Sequence, residues 1–130
     1  MRTIKFRGKT QQGEWVIGYY VGKSPFDEVA ILPSANVNYD IFYINDSECC
    51  YCIADTIGQF TSLCDSSGKE IYEGDILDFN GLKIEVRFVR GVFALLCNGD
   101  LDQELCGDCR TDLFAKVIGN IHDNPELLNQ

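Results

Sequence analysis

Apolar and polar residues alternate along much of this chain, which is the period of a β-strand with one covered face. The alternation is clearest over residues 75–98, which read as three strands joined by two tight turns. Asn80-Gly81 is the first turn, because both central positions of a two-residue hairpin need a positive φ. Arg90-Gly91 is a weaker second turn. We therefore predict a three-strand meander.

The two turns also predict the register of the meander. They pair Phe79 with Leu82 and Val89 with Val92, and they place Asp78 opposite Lys83 as an opposite-charge pair. Glu85 and Arg87 share that polar face. The other face is apolar and comprises Leu77, Phe79, Leu82, Ile84, Val86, Phe88, Phe93, Leu95 and Cys97. A slip of one residue would mix the two faces.

Short strands are predicted in the rest of the chain as well. Residues 2–7 and 14–21 form an opening hairpin with a loop over residues 8–13, and Trp15, Ile17 and Tyr19 share one of its faces. Further strand-like segments cover residues 29–32, 39–44, 49–53, 56–61 and 69–72. A type I turn is expected at residues 65–68 and a helical turn at 124–128. Many short strands with tight turns favour a small barrel.

The predicted fold class is mainly β, in two sub-domains. Residues 1–62 form a small N-terminal β-rich (α+β) sub-domain, and residues 63–130 form a barrel built on the meander. The turn before Asp75-Ile76-Leu77 is of the kind that many SH3-like barrels show. With 130 residues, of which 45% are hydrophobic, the chain can bury one core, so we expect the two parts to pack as one compact unit.

The net charge and the search for targeting signals indicate which partners and which location the sequence favours. The chain has 11 basic and 20 acidic residues and a net charge of -9. That balance disfavours direct nucleic-acid binding and suits a basic protein partner. The alternative is that the charge only confers solubility. The start lacks an apolar signal region, and no apolar run reaches the ~20 residues of a spanning helix. We expect a cytoplasmic protein whose seven cysteines are mostly small core residues.

A search for catalytic residues favours a protein that is not an enzyme. His122 is the only histidine, and no nucleophile elbow or glycine-rich phosphate loop is present. Glu70, Glu73 and Asp75 surround Tyr72, but a hydrolase would need two carboxyls with separated pKa values in one cleft. The alternative is that Asp75 holds a turn and the two glutamates face water. We predict no catalytic residue and no cofactor.

Two binding alternatives stay open at this point. Cys106 and Cys109 have the Cys-x-x-Cys spacing of a zinc site, and Cys50 and Cys52 could supply two more thiolates. Incidental core and loop cysteines explain the same residues. A local basic strip of Arg2, Lys5 and Arg7 could bind nucleic acid despite the net charge.

Four sequence segments resemble the YopX protein family of phage and prophage genomes, together with the opening Ile-Lys-Phe-Arg. They are Thr-Ile-Gly-Gln-Phe-Thr at residues 56–61, Asp-Ser-Ser-Gly at 65–68, Lys-Glu-Ile-Tyr-Glu-Gly-Asp-Ile at 69–76, and Val-Ile-Gly-Asn-Ile-His-Asp-Asn-Pro-Glu-Leu-Leu at 117–128. The resemblance covers the whole chain and is loose over residues 22–52. It implies an N-terminal sub-domain and an SH3-like C-terminal barrel, with no biochemical activity, catalytic position or metal position to transfer. The cysteines lie outside its motifs.

The resulting hypothesis is a phage-derived, cytosolic interaction or accessory protein. Its partner would be another protein or a second copy of the chain. We place the partner-binding surface at Gln59, Phe60, Tyr72 and Glu73, where explicit turns present side chains that a core does not require. The alternative is that Phe60 and Tyr72 only join the two sub-domains.

Overall fold

The structure is a computed structural model that describes residues 4–23, 28–33, 49–97, 100–104 and 110–129. The described chain is mainly β, as predicted, and its strands pair antiparallel. They are β1 Phe6–Lys9, β2 Trp15–Lys23, β3 Glu28–Pro33, β4 Cys50–Ile53, β5 Gly58–Cys64, β6 Glu70–Tyr72, β7 Asp75–Phe79, β8 Leu82–Val89, β9 Val92–Cys97, β10 Asp100–Glu104 and β11 Ala115–Asn120. A short helix, α1, spans Thr111–Phe114, and 3₁₀ helices span Ala54–Thr56 and Pro125–Asn129. The strand predicted over residues 39–44 lies outside the described residues.

The chain divides into two compact units, Met1–Gln59 and Phe60–Gln130. We call them unit 1 and unit 2. The division falls within β5, a few residues before the boundary that the sequence suggested at residue 62.

Unit 1 is a sheet with the strand order β4-β3-β2-β1-β5. The opening hairpin forms, but β1 extends to Lys9, which pairs with Trp15, so the loop is shorter than predicted. An isolated bridge joins Thr10 to Cys52 on β4. The core consists of Val29, Ile31 and Cys52, packed with Phe6, Val16, Ala54 and Ile57. Glycine at position 8 lets β1 approach this core closely, because a Cβ there would come within 2.7 Å of the Cys52 side chain.

Unit 2 contains the predicted meander as β7, β8 and β9. Asn80 and Gly81 have φ values of 54° and 90°, as a two-residue hairpin turn requires. The register is the predicted one, with Phe79 opposite Leu82 and Val89 opposite Val92. β11 and β10 flank the meander in the order β10-β9-β8-β7-β11, and β6 pairs with β5. No pairing among the described residues closes the five strands into a barrel.

The two faces of the meander differ from the simple prediction in two respects. On the predicted apolar face, Leu82 and Phe88 are 55% and 46% exposed. The apolar face supplies most of the core of unit 2, whose buried members are Ile71, Leu77, Ile84, Val86, Leu95 and Ala115. The opposite face is also partly covered: Ile76 and Leu96 are buried there, and Glu85 is only 6% exposed. The 3₁₀ helix Pro125–Asn129 lies beside β8. Glu85 keeps its charge balanced through Arg87, at 2.7 Å.

None of the helices within the described ranges has the length and apolar character needed to cross a membrane.

Candidate functional site

Asp65 is a buried carboxylate that accepts several hydrogen bonds at the start of the central motif, residues 65–76. It is 3% exposed, and its Oδ1 accepts hydrogen bonds from the Ser67 N–H, the Ser67 hydroxyl and the Lys69 N–H at 2.8–2.9 Å. Its Oδ2 accepts the Val117 N–H from β11 at 2.9 Å. Burial alone would raise the pKa of Asp65, but these bonds, led by the one from Val117, lower it. The side chain therefore holds the predicted turn against β11.

The carboxylates around Tyr72 are likewise engaged. Asp75 is 1% exposed and accepts the Tyr72 N–H at 2.7 Å, which holds the turn as the structural alternative expected. The Tyr72 hydroxyl donates to Glu70 at 3.1 Å. Glu70 and Glu73 are half-buried. This arrangement stabilises a turn, and the Asp75 and Glu70 carboxylates accept hydrogen bonds from Tyr72.

The C-terminal motif, residues 117–128, forms a second turn that its own side chains hold by hydrogen bonds. The Asn120 Oδ1 accepts the N–H groups of His122 and Asp123, and the Asn124 Oδ1 accepts the Asn120 N–H. A Cβ at Gly119 would approach that Asn124 oxygen to 2.6 Å, so glycine is needed there. His122 thus belongs to a turn whose polar groups bond to its own backbone.

The four residues predicted as a partner surface do not share one environment. Phe60 and Tyr72 are opposite each other on β5 and β6 and are 7% and 3% exposed. Their rings are tilted by 40° to each other, with centroids 5.4 Å apart. Gln59 and Glu73 are half-buried. Partner binding by this set stays a prediction, but the two aromatic rings have the burial of core residues.

The cysteines give no assembled metal site within the described residues. Cys52 is buried and Cys50 half-buried on β4, while Cys106 and Cys109 lie outside the described residues. Burial, with smaller contributions from Cys50 and Glu28, raises the pKa of Cys52 to about 11. Burial therefore favours the neutral thiol of Cys52 in the metal-free protein, whereas a metal ion binds the thiolate. No group of three or more candidate ligand side chains occurs in the described part of the chain. The four-cysteine zinc site stays a prediction.

The predicted basic strip is placed in part. Arg2 lies outside the described residues, and Lys5 and Arg7 are half-buried. The Arg7 guanidinium carbon is 4.9 Å from the ring centroid of Trp15. Lys9, which sequence reasoning missed, lies against the same ring with its Nζ at 6.0 Å. Both distances are within the range of cation–π attraction.

The same face of the opening hairpin carries exposed apolar side chains. Arg7 pairs directly with Ile17, and directly opposed residues point to the same side of a sheet. Ile17 and Tyr19 are each 41% exposed, while Phe6 and Val16 point to the core on the other side. Arg7, Lys9 and Trp15 are half-buried beside them. We call these five residues the cation–aromatic strip: Arg7, Lys9, Trp15, Ile17 and Tyr19.

Sequence reasoning placed three members of the strip on one face but did not identify it as a site. An apolar alternation of this kind normally faces a core. The signal that could have revealed the strip is glycine on the other side of the hairpin. A Cβ at Gly8 would meet the core side chains of Ile57 and Cys52, so the core packs closely on the Gly8 side of the hairpin.

Comparison with known proteins agrees with this fold. The chain is similar to protein EF1440 from Enterococcus faecalis, with a TM-score of 0.62 and 27% sequence identity over 98% of this chain and 99% of that one. The search of curated proteins returned no significant match. The family model of the YopX protein matches residues 5–129, nearly the whole chain. The chain therefore belongs to the YopX protein family.

Proposed function

We propose that the protein is a non-enzymatic protein-interaction module and that its contact surface is the cation–aromatic strip of unit 1. The observation that carries this proposal is the exposure of Ile17 and Tyr19, each 41%, beside Trp15 on a regular strand. The water-exposed part of an apolar side chain contributes no hydrophobic stabilisation to the fold. Grouped exposed apolar residues mark binding surfaces in soluble proteins.

A non-enzymatic role is supported by how the motif carboxylates are used. Asp65 and Asp75 are the most buried candidates for acid–base chemistry, and both accept backbone N–H groups. The pKa of Asp65 is lowered, whereas a general acid needs a raised one. Their hydrogen bonds are those of turn residues.

The proposal also includes the details of fold, origin and location that the family resemblance implies. We take unit 2 to be an SH3-like barrel, supported by the five-stranded order and by the turn that precedes β7. We take the protein to be of phage or prophage origin and cytosolic, supported by its family membership. Partner-specific binding, rather than catalysis, is the role we assign to it.

Photo-crosslinking tests the proposal. A benzoylphenylalanine in place of Tyr19 would report on the strip, and the same group in place of Lys116, exposed on β11, is the matched control. The proposal predicts discrete adducts in host cells from position 19 and none from position 116. Equal adduct patterns from the two positions, or none from either, would refute it.

A further inference from the structure

We infer that the tip of the β8–β9 hairpin, residues 88–93, inserts into an apolar cleft of a partner protein that carries carboxylates at its rim. This second surface goes beyond the proposed function, because the tip belongs to unit 2 and the cation–aromatic strip to unit 1. Four features of the tip point to it: its projection from the sheet, its exposed apolar side chains, its charge, and the backbone conformation of its turn.

The tip projects beyond the strands that flank it. β7 pairs with β8 as far as Glu85, and β10 pairs with β9 as far as Ala94. β8 and β9 continue to pair with each other up to Val89 and Val92. Among the described residues, no other strand pairs with residues 88–93, so the tip is a two-stranded ribbon with neither edge in a sheet. A projecting ribbon of this kind can enter a cleft of another protein.

Apolar side chains are exposed on both faces of the tip. Phe88 lies directly opposite Phe93, and their rings meet edge to face with centroids 5.1 Å apart. Phe93 is 8% exposed, but Phe88 is 46% exposed, so much of its ring faces water. Val92, on the other face, is 39% exposed. The contact with Phe93 restricts the exposed ring, which lowers the side-chain entropy lost on binding.

The tip is a basic element of an acidic unit. Residues 60–130 hold six Lys and Arg against thirteen Asp and Glu, whereas residues 86–97 hold two Arg and no acidic residue. Arg87 forms an ion pair with Glu85 at 2.7 Å, while Arg90 is exposed and has no side-chain partner among the described residues. Charges beyond a Debye length of about 8 Å are largely screened at physiological salt, so Arg90 gives the end of the tip a positive local field. Carboxylates of a partner complement that field.

The turn conformation indicates that Arg90 serves something other than the fold. Arg90 and Gly91 have φ values of 52° and 86°, nearly the 54° and 90° of Asn80 and Gly81 in the first turn. Asn is strongly enriched among non-glycine residues at positive φ, and Asn-Gly is the preferred pair for such a turn. Arginine at position 90 therefore suits the turn less well than asparagine would. A charge-assisted contact with a partner accounts for its presence.

A protein cleft is favoured over the other partners that a cation could attract. An anionic membrane and a phosphate backbone present many charges, and both repel a unit whose thirteen acidic residues outnumber its six basic ones. Two copies of the tip would bring like charges together. A cleft with a few carboxylates beside apolar side chains matches Arg90, Phe88 and Val92 together.

Photo-crosslinking in host cells tests the inference, with benzoylphenylalanine in place of Val92 in the full-length protein. Arg90→Asn removes the charge but supplies the residue that the turn prefers, and Arg90→Lys keeps the charge. Lys116→Gln, which removes an exposed cation on β11, is the matched control. Immunoblots quantify the adducts, mass spectrometry identifies the crosslinked segments, and thermal melts followed by circular dichroism report on folding.

The expected result is a set of discrete protein adducts from position 92 that falls about tenfold in Arg90→Asn, as the loss of a charge-assisted pair implies. The adducts should fall less in Arg90→Lys and stay unchanged in Lys116→Gln. The crosslinked segments of the partner should lie next to Asp or Glu residues. The melting temperature of Arg90→Asn should rise by about 2 °C, because asparagine suits the turn.

The inference is overturned by adducts to lipid, to nucleic acid or to a second copy of the chain, and by the absence of adducts. Adducts that Arg90→Asn leaves unchanged, or crosslinked segments without nearby carboxylates, also overturn it. So does a lower melting temperature in Arg90→Asn, since the arginine would then serve the fold. None of these outcomes affects the crosslinking test at position 19, so the proposed function can stand without the tip.

Discussion

Replacing Asp65 perturbs the network that joins the central turn to β11. Asp65→Ala removes the acceptor of three backbone N–H groups, those of Ser67, Lys69 and Val117. Asp65→Asn keeps one acceptor oxygen but turns an NH₂ group toward at least one of these donors. Both changes should destabilise unit 2, and alanine should cost more.

The magnitude follows from how well water can replace the lost acceptor. Ser67 and Lys69 are exposed, so their N–H groups can bind water, and each loss costs about 0.5 kcal/mol. Val117 is half-buried and lies within the β11 pairing, so its unpaired N–H costs about 1–3 kcal/mol. We expect Asp65→Ala to lower the free energy of unfolding by about 2–4 kcal/mol and Asp65→Asn by about 2 kcal/mol.

The effect has a defined pH dependence. The pKa of Asp65 is lowered in the folded protein from about 3.9 in the unfolded chain. Its stabilisation is therefore fully present above pH ~4 and is lost as the pH falls through the folded-state pKa. The difference between wild type and Asp65→Asn should be constant near neutral pH and shrink below pH ~4.

Urea unfolding followed by circular dichroism measures these differences, with Asp55→Asn as the matched control. Asp55 is exposed on the 3₁₀ helix Ala54–Thr56, and its replacement removes the same charge at a cost of about 0.5 kcal/mol or less. The reasoning is refuted if Asp65→Ala costs no more than the Asp55 control. It is also refuted if the Asp65→Asn difference persists unchanged in acid.

Three other changes give independent tests of the structure. Gly18→Ala should destabilise the protein by about 2 kcal/mol or more, because the new Cβ would collide with the β3 backbone. Gly22→Ala, on the same strand, places its Cβ where no atom lies within 4 Å and should change little. Equal shifts of the melting temperature in the two variants would contradict the strand packing. Gly81→Ala should cost about 1 kcal/mol in urea unfolding, since φ is +90° with open space around it, and no loss would exclude the assigned turn. Burial raises the pKa of Cys52 to about 11, so its thiol should resist alkylation by iodoacetamide at pH ~8 until urea is added. The half-buried Cys50 should be alkylated first. Equal alkylation rates of Cys50 and Cys52 in the native protein would contradict that burial.

The meander could be predicted from local sequence because its turns determine its register. Asn80-Gly81 permits a two-residue loop, and that loop sets which residues of β7 and β8 face each other. The alternation of the strands then assigns side chains to faces. Nothing distant in the chain is needed for either step.

The features that sequence analysis could not supply depend on distant segments. The bond between Asp65 and the Val117 N–H joins residues 52 positions apart, so the turn signal at residues 65–68 does not reveal it. The burial of Glu85 reflects elements packed on the face that alternation marks as polar. The exposure of Ile17 depends on which side of the hairpin the core occupies, and the alternation in β2 alone does not say.

The central claim, that the strip contacts a partner and is not part of a core, is tested most directly by crosslinking from position 19 with and without Ile17→Thr. Threonine keeps the β-branching that suits a strand but shortens the apolar side chain. We predict that the variant loses the adducts while its melting temperature stays close to that of the parent protein. Adducts that persist in the variant, or a large fall in its melting temperature, would contradict the account.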